Sequence, residues 1–362
     1  MEISTVLNEE KKIRKLLHEV PELSGCEVKT KRIITSYLNN LHSIRVIYKG
    51  DWFYALYKSP NSSGRIAFRT DMDAVRGEDG LAHHYCGHDG HTATLLAFAF
   101  YVNETKPDRD IYFIFQPAEE TGKGALMVRE LLIEEDIDEI YGFHSIPKFK
   151  KGSVILRNGT FACASQGLSL SFKGSQSHAA YPEAGNNPDT VIAEMIEYVN
   201  TLKCFELGNL HFVTVVGASI GSMSFGVSAG EGKLYLTARA ERQDSFNKLI
   251  ESILDRAKSL SEKSGIEFEY RAHDVFSATI NDPNLVDGIE DIAVKNNIEV
   301  IRPSEPFRWS EDFGYYLRVC KGAFFGVGDG EDYPQLHTSE FEFPDDIAQT
   351  VLKIYMGLIC SI

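Results

Sequence analysis

Across residues 6–39 the apolar positions recur at three- and four-residue intervals, and Pro21 in Pro-Glu-Leu-Ser-Gly divides the stretch, so the pattern predicts two amphipathic helices at the start of the chain. The period then drops to two. Strand-like runs lie at 43–48, 52–57 and 65–69, followed by a helix at about 92–102, a strongly apolar strand at 111–115, a helix at about 125–134 and a strand at 139–143. Strands alternating with helices predict a doubly wound α/β layer structure, with a central sheet flanked by helices.

After this the rhythm changes. Strands at 165–172 and 211–218 flank a helix at 187–203, and a strand at 233–242, a helix at 245–264 and a strand at 267–272 complete a strand-helix-strand-strand-helix-strand order. That order fits a ferredoxin-like α+β insertion. A helix at 285–296 and the segments after it are expected to rejoin the first layer structure. The expected division is therefore 1–163 with 273–362 as one domain and 164–272 as the inserted one.

Size agrees, since 362 residues exceed what one core usually holds. Apolar residues at 43% and charged residues at 25% mark a folding chain, and a net charge of −15 turns the expectation away from nucleic acid and anionic membranes towards small molecules. The longest apolar run, 95–102, is too short to cross a bilayer, and the polar, acidic first twelve residues lack the features of a secretory signal, so a cytoplasmic location is expected. The six scattered cysteines suit reduced thiols.

The densest chemistry lies at Tyr85-Cys-Gly-His-Asp-Gly-His91, where a thiol, two imidazoles and a carboxylate fall within seven residues. These side chains hold borderline-soft divalent metals, and Gly87 and Gly90 let the backbone curl so that they converge. Further polar clusters fall where strands should end: Asp71-Met-Asp73, Glu119-Glu120, His144 after Tyr-Gly-Phe, and His337 near the C-terminus. In doubly wound folds ligands collect at the carboxyl ends of the strands.

Taken in order, His18-Glu-Val-Pro-Glu-Leu, Arg69-Thr-Asp-Met-Asp-Ala, Cys86-Gly-His-Asp-Gly-His, Gln116-Pro-Ala-Glu-Glu, Gly142-Phe-His and Leu336-His-Thr resemble the successive signatures of the M20 metallopeptidases. Within them the chain is most similar to the amidohydrolase branch of aminoacylases, hippurate hydrolases and indoleacetyl-amino-acid hydrolases. The resemblance implies two divalent ions per subunit (Zn, Mn, Co or Ni), with Cys86, His88, Glu120, His144 and His337 as ligands. It implies Glu119 as general base and Asp73, with Asp71, as groups that orient an imidazole. His91 is either a further support or a residue of the first helical turn. In the insertion, which the resemblance makes a lid and dimerisation domain, His178 would polarise the scissile carbonyl and Arg239 would grip a substrate carboxylate. The expected activity is hydrolysis of the amide bond of N-acyl amino acids by a homodimer, with a dipeptidase or carboxypeptidase of the same family as the alternative.

Two departures bear on specificity. The link between Asp73 and Cys86 is shorter than in relatives, and Gly226-Val-Ser-Ala stands where relatives carry Asn-Val-Ile-Pro. Gly217-Ala-Ser219-Ile-Gly221 satisfies the pattern of a serine nucleophile elbow, but it does not lead into a helix and no suitably ordered Asp/His pair follows it. A non-catalytic binding protein on the same scaffold would have no need of Glu119.

Overall fold

A computed structural model describes residues 1–360, which form two compact units. The first comprises Met1–Phe161, Thr279–Ser304 and the chain from Asp312 onward; the second comprises Ala162–Ala278 and Glu305–Glu311.

The first unit is built on an eight-stranded mixed sheet with strands Ile44–Lys49 (β1), Trp52–Tyr57 (β2), Arg65–Asp71 (β3), Asp110–Gln116 (β4), Glu139–Pro147 (β5), Val154–Ile155 (β6), Val300–Ile301 (β7) and Lys321–Gly330 (β8). Their spatial order is β1-β2-β4-β3-β5-β8-β6-β7. The central strands β4, β3, β5 and β8 run parallel, with Ile66 opposite Ile111 on one side and Glu139 on the other. Strands covered on both faces read as continuous apolar runs, and β2 and β4 are buried along their whole length. Helices Ile3–His18 (α1), Val28–Leu38 (α2) and His88–Thr105 (α3) pack with Ala348–Cys360 around this sheet. Every residue of α3 from His88 to Ala99 is buried. Its Phe98 meets Phe68 of β3 edge to face at 4.9 Å, and Tyr355 closes on the same ring at 4.5 Å.

Two elements differ from the periodicity. The helix expected at 125–134 is two short ones, Gly124–Val128 and Glu130–Glu134, joined at Arg129. Helix α3 starts four residues earlier than expected, because Gly87, in the left-handed region at φ 83°, turns the chain directly into it. Gly90 is required by packing: a Cβ there would lie 2.0 Å from the ring of Phe343.

The second unit has four antiparallel strands in the order His211–Ile220, Glu231–Ala240, Ala164–Lys173, Glu267–Phe276, with helices Asp189–Thr201 and Gln243–Ser264. This is the ferredoxin-like arrangement. Alternate residues of the inner strands, such as Leu168, Leu170 and Phe172 with Leu234 and Leu236, join Met195 and Ile253 of the helices in one core. Its polar face alternates with these positions, as the burial of Glu231–Ala240 records. Among the described residues no helix is long and apolar enough to cross a membrane.

Candidate metal centre

Strand β3 lies between β4 and β5, and the chain runs from β3 through α3 to β4 on one side, then back to β5 on the other. Such a reversal opens a crevice at the carboxyl ends of the strands. Asp71 ends β3 and Asp73 follows it, Glu119 and Glu120 follow β4, His144 lies within β5, and Cys86 and His88 stand at the start of α3. His337 comes from a distant segment and is held by its backbone N–H, which donates to Tyr85 O at 2.8 Å. Ala118, just before the two glutamates, and His337 itself both have positive φ (55° and 64°), uncommon for residues with a Cβ and typical of functional turns.

The side chains form two overlapping triads. Ligand-type atoms of Cys86, His88 and His144 lie within 4.8 Å of one another, and so do those of Cys86, Glu120 and His337. Cys86 Sγ is 3.5 Å from His144 Nε2 and 3.2 Å from His337 Nε2, and Glu120 Oε1 is 3.8 Å from His88 Nε2 and 3.4 Å from His337 Nε2. Glu119 joins His88 and Glu120 in a third group. Its Oε1 accepts from the backbone N–H of Asp312 at 3.4 Å.

Backbone carbonyls determine the imidazole tautomers. His88 Nδ1 donates to Asp73 O at 2.9 Å and His144 Nδ1 donates to Ser145 O at 2.7 Å, so in the neutral rings both Nε2 atoms keep a lone pair directed at the cluster. His88 Nε2 is buried and makes no hydrogen bond. His91 is arranged the other way round. The Ser145 N–H donates to its Nε2 at 3.2 Å and its Nδ1 donates to Asp71 Oδ1 at 2.9 Å, so its ring is a packing and hydrogen-bonding support within the first helical turn.

Charge points the same way. Burial disfavours a cation on His88, yet Asp71 and Cys86 more than offset it and hold the ring well above the ordinary imidazole value. Hydrogen bonds to Cys86 and Glu120 push His337 up to about 10. Burial keeps His144 neutral and raises the Cys86 thiol. A set of thiol, carboxylates and imidazoles in which Cys86, His88 and His144 are buried while His337 stays exposed, with one orphaned nitrogen, is therefore suited to cations, and its donor types suit a borderline-soft divalent metal. Asp73 ties the clusters together: its Oδ2 accepts from Ser24 Oγ at 2.6 Å and from the Glu120 N–H at 3.1 Å, and its Oδ1 lies 3.3 Å from His88 Nδ1.

Asp71 also belongs to a buried network whose other members, Arg69, Gln116 and Asp312, were given no role by the motifs. Fully buried Arg69 donates from Nη1 to Asp71 Oδ2 at 2.9 Å, from Nη2 to Asp312 Oδ1 at 2.7 Å and from Nε to Gln116 Oε1 at 2.8 Å. Gln116 Nε2 and the Ala125 N–H also donate to Asp312. Arg69 and Asp71 share a strand face at period two, so an arginine inside a buried strand was a readable signal. Asp312, far from the rest in sequence, gave none.

His178 and Arg239 belong to the second unit. His178 is exposed, and the Ala180 N–H donates to its Nδ1 at 3.1 Å, so the neutral ring carries its proton on Nε2. Arg239 Nη1 donates to Arg308 O at 2.7 Å and to Ser310 Oγ at 3.0 Å, which leaves Nε and Nη2 for a planar acceptor. Burial lowers its pKa. Ser219 sits in the antiparallel strand His211–Ile220 opposite Lys233, so it is not at a strand-to-helix elbow.

A model of Peptidase family M20/M25/M40 matches residues 67–361. An uncharacterized hydrolase of Staphylococcus haemolyticus is 30% identical over 373 residues, 96% of each chain. Two solved structures share the fold. A protein of methicillin resistant Staphylococcus aureus, provisionally assigned as an aminohydrolase, superposes with a TM-score of 0.88 at 22% identity over 98% of this chain and 96% of that one. The YXEP protein of Bacillus subtilis, a dinuclear metal binding peptidase from the M20 family, gives 0.82 at 21% identity over 99% of both chains.

Proposed function

The chain belongs to peptidase family M20/M25/M40, and from that premise we propose that it is a two-metal amidohydrolase that cleaves the amide bond of N-acyl amino acids. The observation that carries this reading is the membership of Cys86 in both triads, since a thiolate can bridge two cations. Cys86, His88, Glu120, His144 and His337 would hold the two ions, for which Zn, Mn, Co and Ni all suit the donor set. When bound, such ions lower the pKa of water and polarise a carbonyl.

The residues supply the rest. Glu119, buried beside Glu120, takes a proton from the attacking water and delivers it to the leaving nitrogen as the C–N bond breaks, so that water is divided between a carboxylate and an amine. Nδ1 of His88 is kept protonated by the Asp73 carbonyl, which fixes the ring's orientation. His178 offers its Nε2 proton to the developing oxyanion, and Arg239 offers its unused donors to the substrate carboxylate. In this reading the second unit acts as a lid and as the contact of a cytoplasmic homodimer.

The dipeptidase or carboxypeptidase reading is supported by the name of the B. subtilis relative, and a panel of N-acyl amino acids and dipeptides separates the two. The proposal itself is tested by Glu119→Gln. The variant is expected to bind as much metal as the wild type and to lose roughly 10²- to 10⁴-fold in kcat. Near-normal turnover would refute the assigned base.

A further inference from the structure

Beside Glu120 and His337 the crevice opens to solvent as a shallow groove of about 350 Å³. Leu23, Ala74 and Val75 give it apolar walls. Two hydroxyls also line it, and both are committed: Ser24 Oγ donates to Asp73 at 2.6 Å and Thr121 Oγ1 donates to Ala118 O at 3.3 Å. The remaining polar group is Arg76.

Arg76 lies in the link between Asp73 and Cys86. The link forms a hairpin in which Val75–Arg76 pairs with Ala82–His83, closed by the Gly77 N–H donating to Leu81 O at 2.8 Å. Nη1 of Arg76 donates to Gly80 O at 2.6 Å, which anchors the guanidinium on the hairpin. Arg76 is exposed, and among the described residues no acidic side chain forms an ion pair with it; the nearby Asp79 is bound to His83 at 2.9 Å. An exposed guanidinium anchored through one nitrogen at the edge of a partly apolar groove has the donor geometry to receive a carboxylate.

We propose that Arg76 selects substrates that carry a carboxylate on a short aliphatic arm next to the scissile amide, in addition to the carboxylate assigned to Arg239. The proposal rests on the amidohydrolase reading. The arm can belong to the acyl group or to the amino acid's side chain, because both flank the amide. Sites built around a charged hydrogen-bonding group discriminate strongly against analogues that lack its partner.

The test compares N-succinyl-leucine, N-acetyl-glutamate and N-acetyl-leucine on metal-loaded wild type, Arg76→Ala and Arg76→Lys. At least one dianionic substrate should exceed N-acetyl-leucine in kcat/KM, which identifies the arm. That preference should fall by roughly 10- to 100-fold in Arg76→Ala and return in part with lysine. A wild-type preference for N-acetyl-leucine, or a preference that Arg76→Ala keeps, would overturn the proposal. If the wild type cleaves none of the three, the amidohydrolase reading fails, and calorimetric titration with succinate and butyrate still decides the role of Arg76. Selectivity for succinate that Arg76→Ala abolishes supports it, and equal selectivity in the two proteins overturns it.

Discussion

In the first unit Cys86, His88, Glu119 and His144 are buried at the start of α3, after β4 and within β5, and Asp73, Ser145 or Asp312 hydrogen-bonds the two imidazoles and the glutamate. In the second, His178 stands exposed with one backbone bond to its ring, and Arg239 is anchored through a single nitrogen. The difference follows from solvation. Buried polar groups must be satisfied within the protein, so their geometry is bound up with the stability of the fold, whereas exposed groups can be changed with little effect on it. The first unit is thus arranged to hold charge in place, and the second to present donors.

That contrast can be broken most severely at Arg69. Arg69→Met would leave Asp71 and Asp312 buried without their cation, and should destabilise the first unit by about 3–5 kcal/mol. The two tryptophans make this readable: Trp52 belongs to the first unit and Trp309 to the second, so urea unfolding followed through Trp52 in a Trp309→Phe background isolates the unit concerned. A loss below about 1 kcal/mol would mean that the network is not a structural support of the site.

His178→Ala sharpens the other side of the contrast. It should lower kcat by roughly 10²- to 10³-fold, as loss of an oxyanion donor does, with metal content and the unfolding midpoint unchanged. A shifted midpoint would make the residue structural.

Glu10 offers the smallest effect and a defined sign. It is wholly buried on α1 with no hydrogen bond to either oxygen, and burial, aided by Asp345, raises its pKa from the ordinary 4.5 to about 8. A raised carboxyl favours the folded state while it is protonated, so its contribution is complete below the unfolded value and is lost as pH rises through about 8. Glu10→Gln should therefore flatten the decline in stability between pH 6 and 8.5, by roughly 2–3 kcal/mol. An unchanged slope would show that Glu10 is solvated.

Legibility in the sequence follows the same division. The ferredoxin-like unit could be read from its periodicity, because its two inner strands, Ala164–Lys173 and Glu231–Ala240, alternate buried with more exposed positions. In the first unit the motifs name residues that the fold brings together, since ligand-type atoms of Cys86 lie within 4.8 Å of those of His88 and His144 and of those of Glu120 and His337. What stayed hidden depends on contacts distant in the chain: the pairing of Asp312 with Arg69, the return of Glu305–Glu311 to the second unit, and the seat of Gly90 against Phe343. His91 shows the limit within a motif. It is three residues from His88, yet the Ser145 amide occupies the nitrogen that a metal would need.

If Cys86 helps to hold both ions, as proposed, its removal should empty both sites, and metal content per chain reads this out. Wild type and variants would be incubated with excess Zn or Mn, freed of unbound ion and analysed by mass spectrometry. Two ions are expected in the wild type, two in His91→Ala and fewer than one in Cys86→Ala. Two ions retained by Cys86→Ala, or no more than one in the wild type, would contradict the proposal.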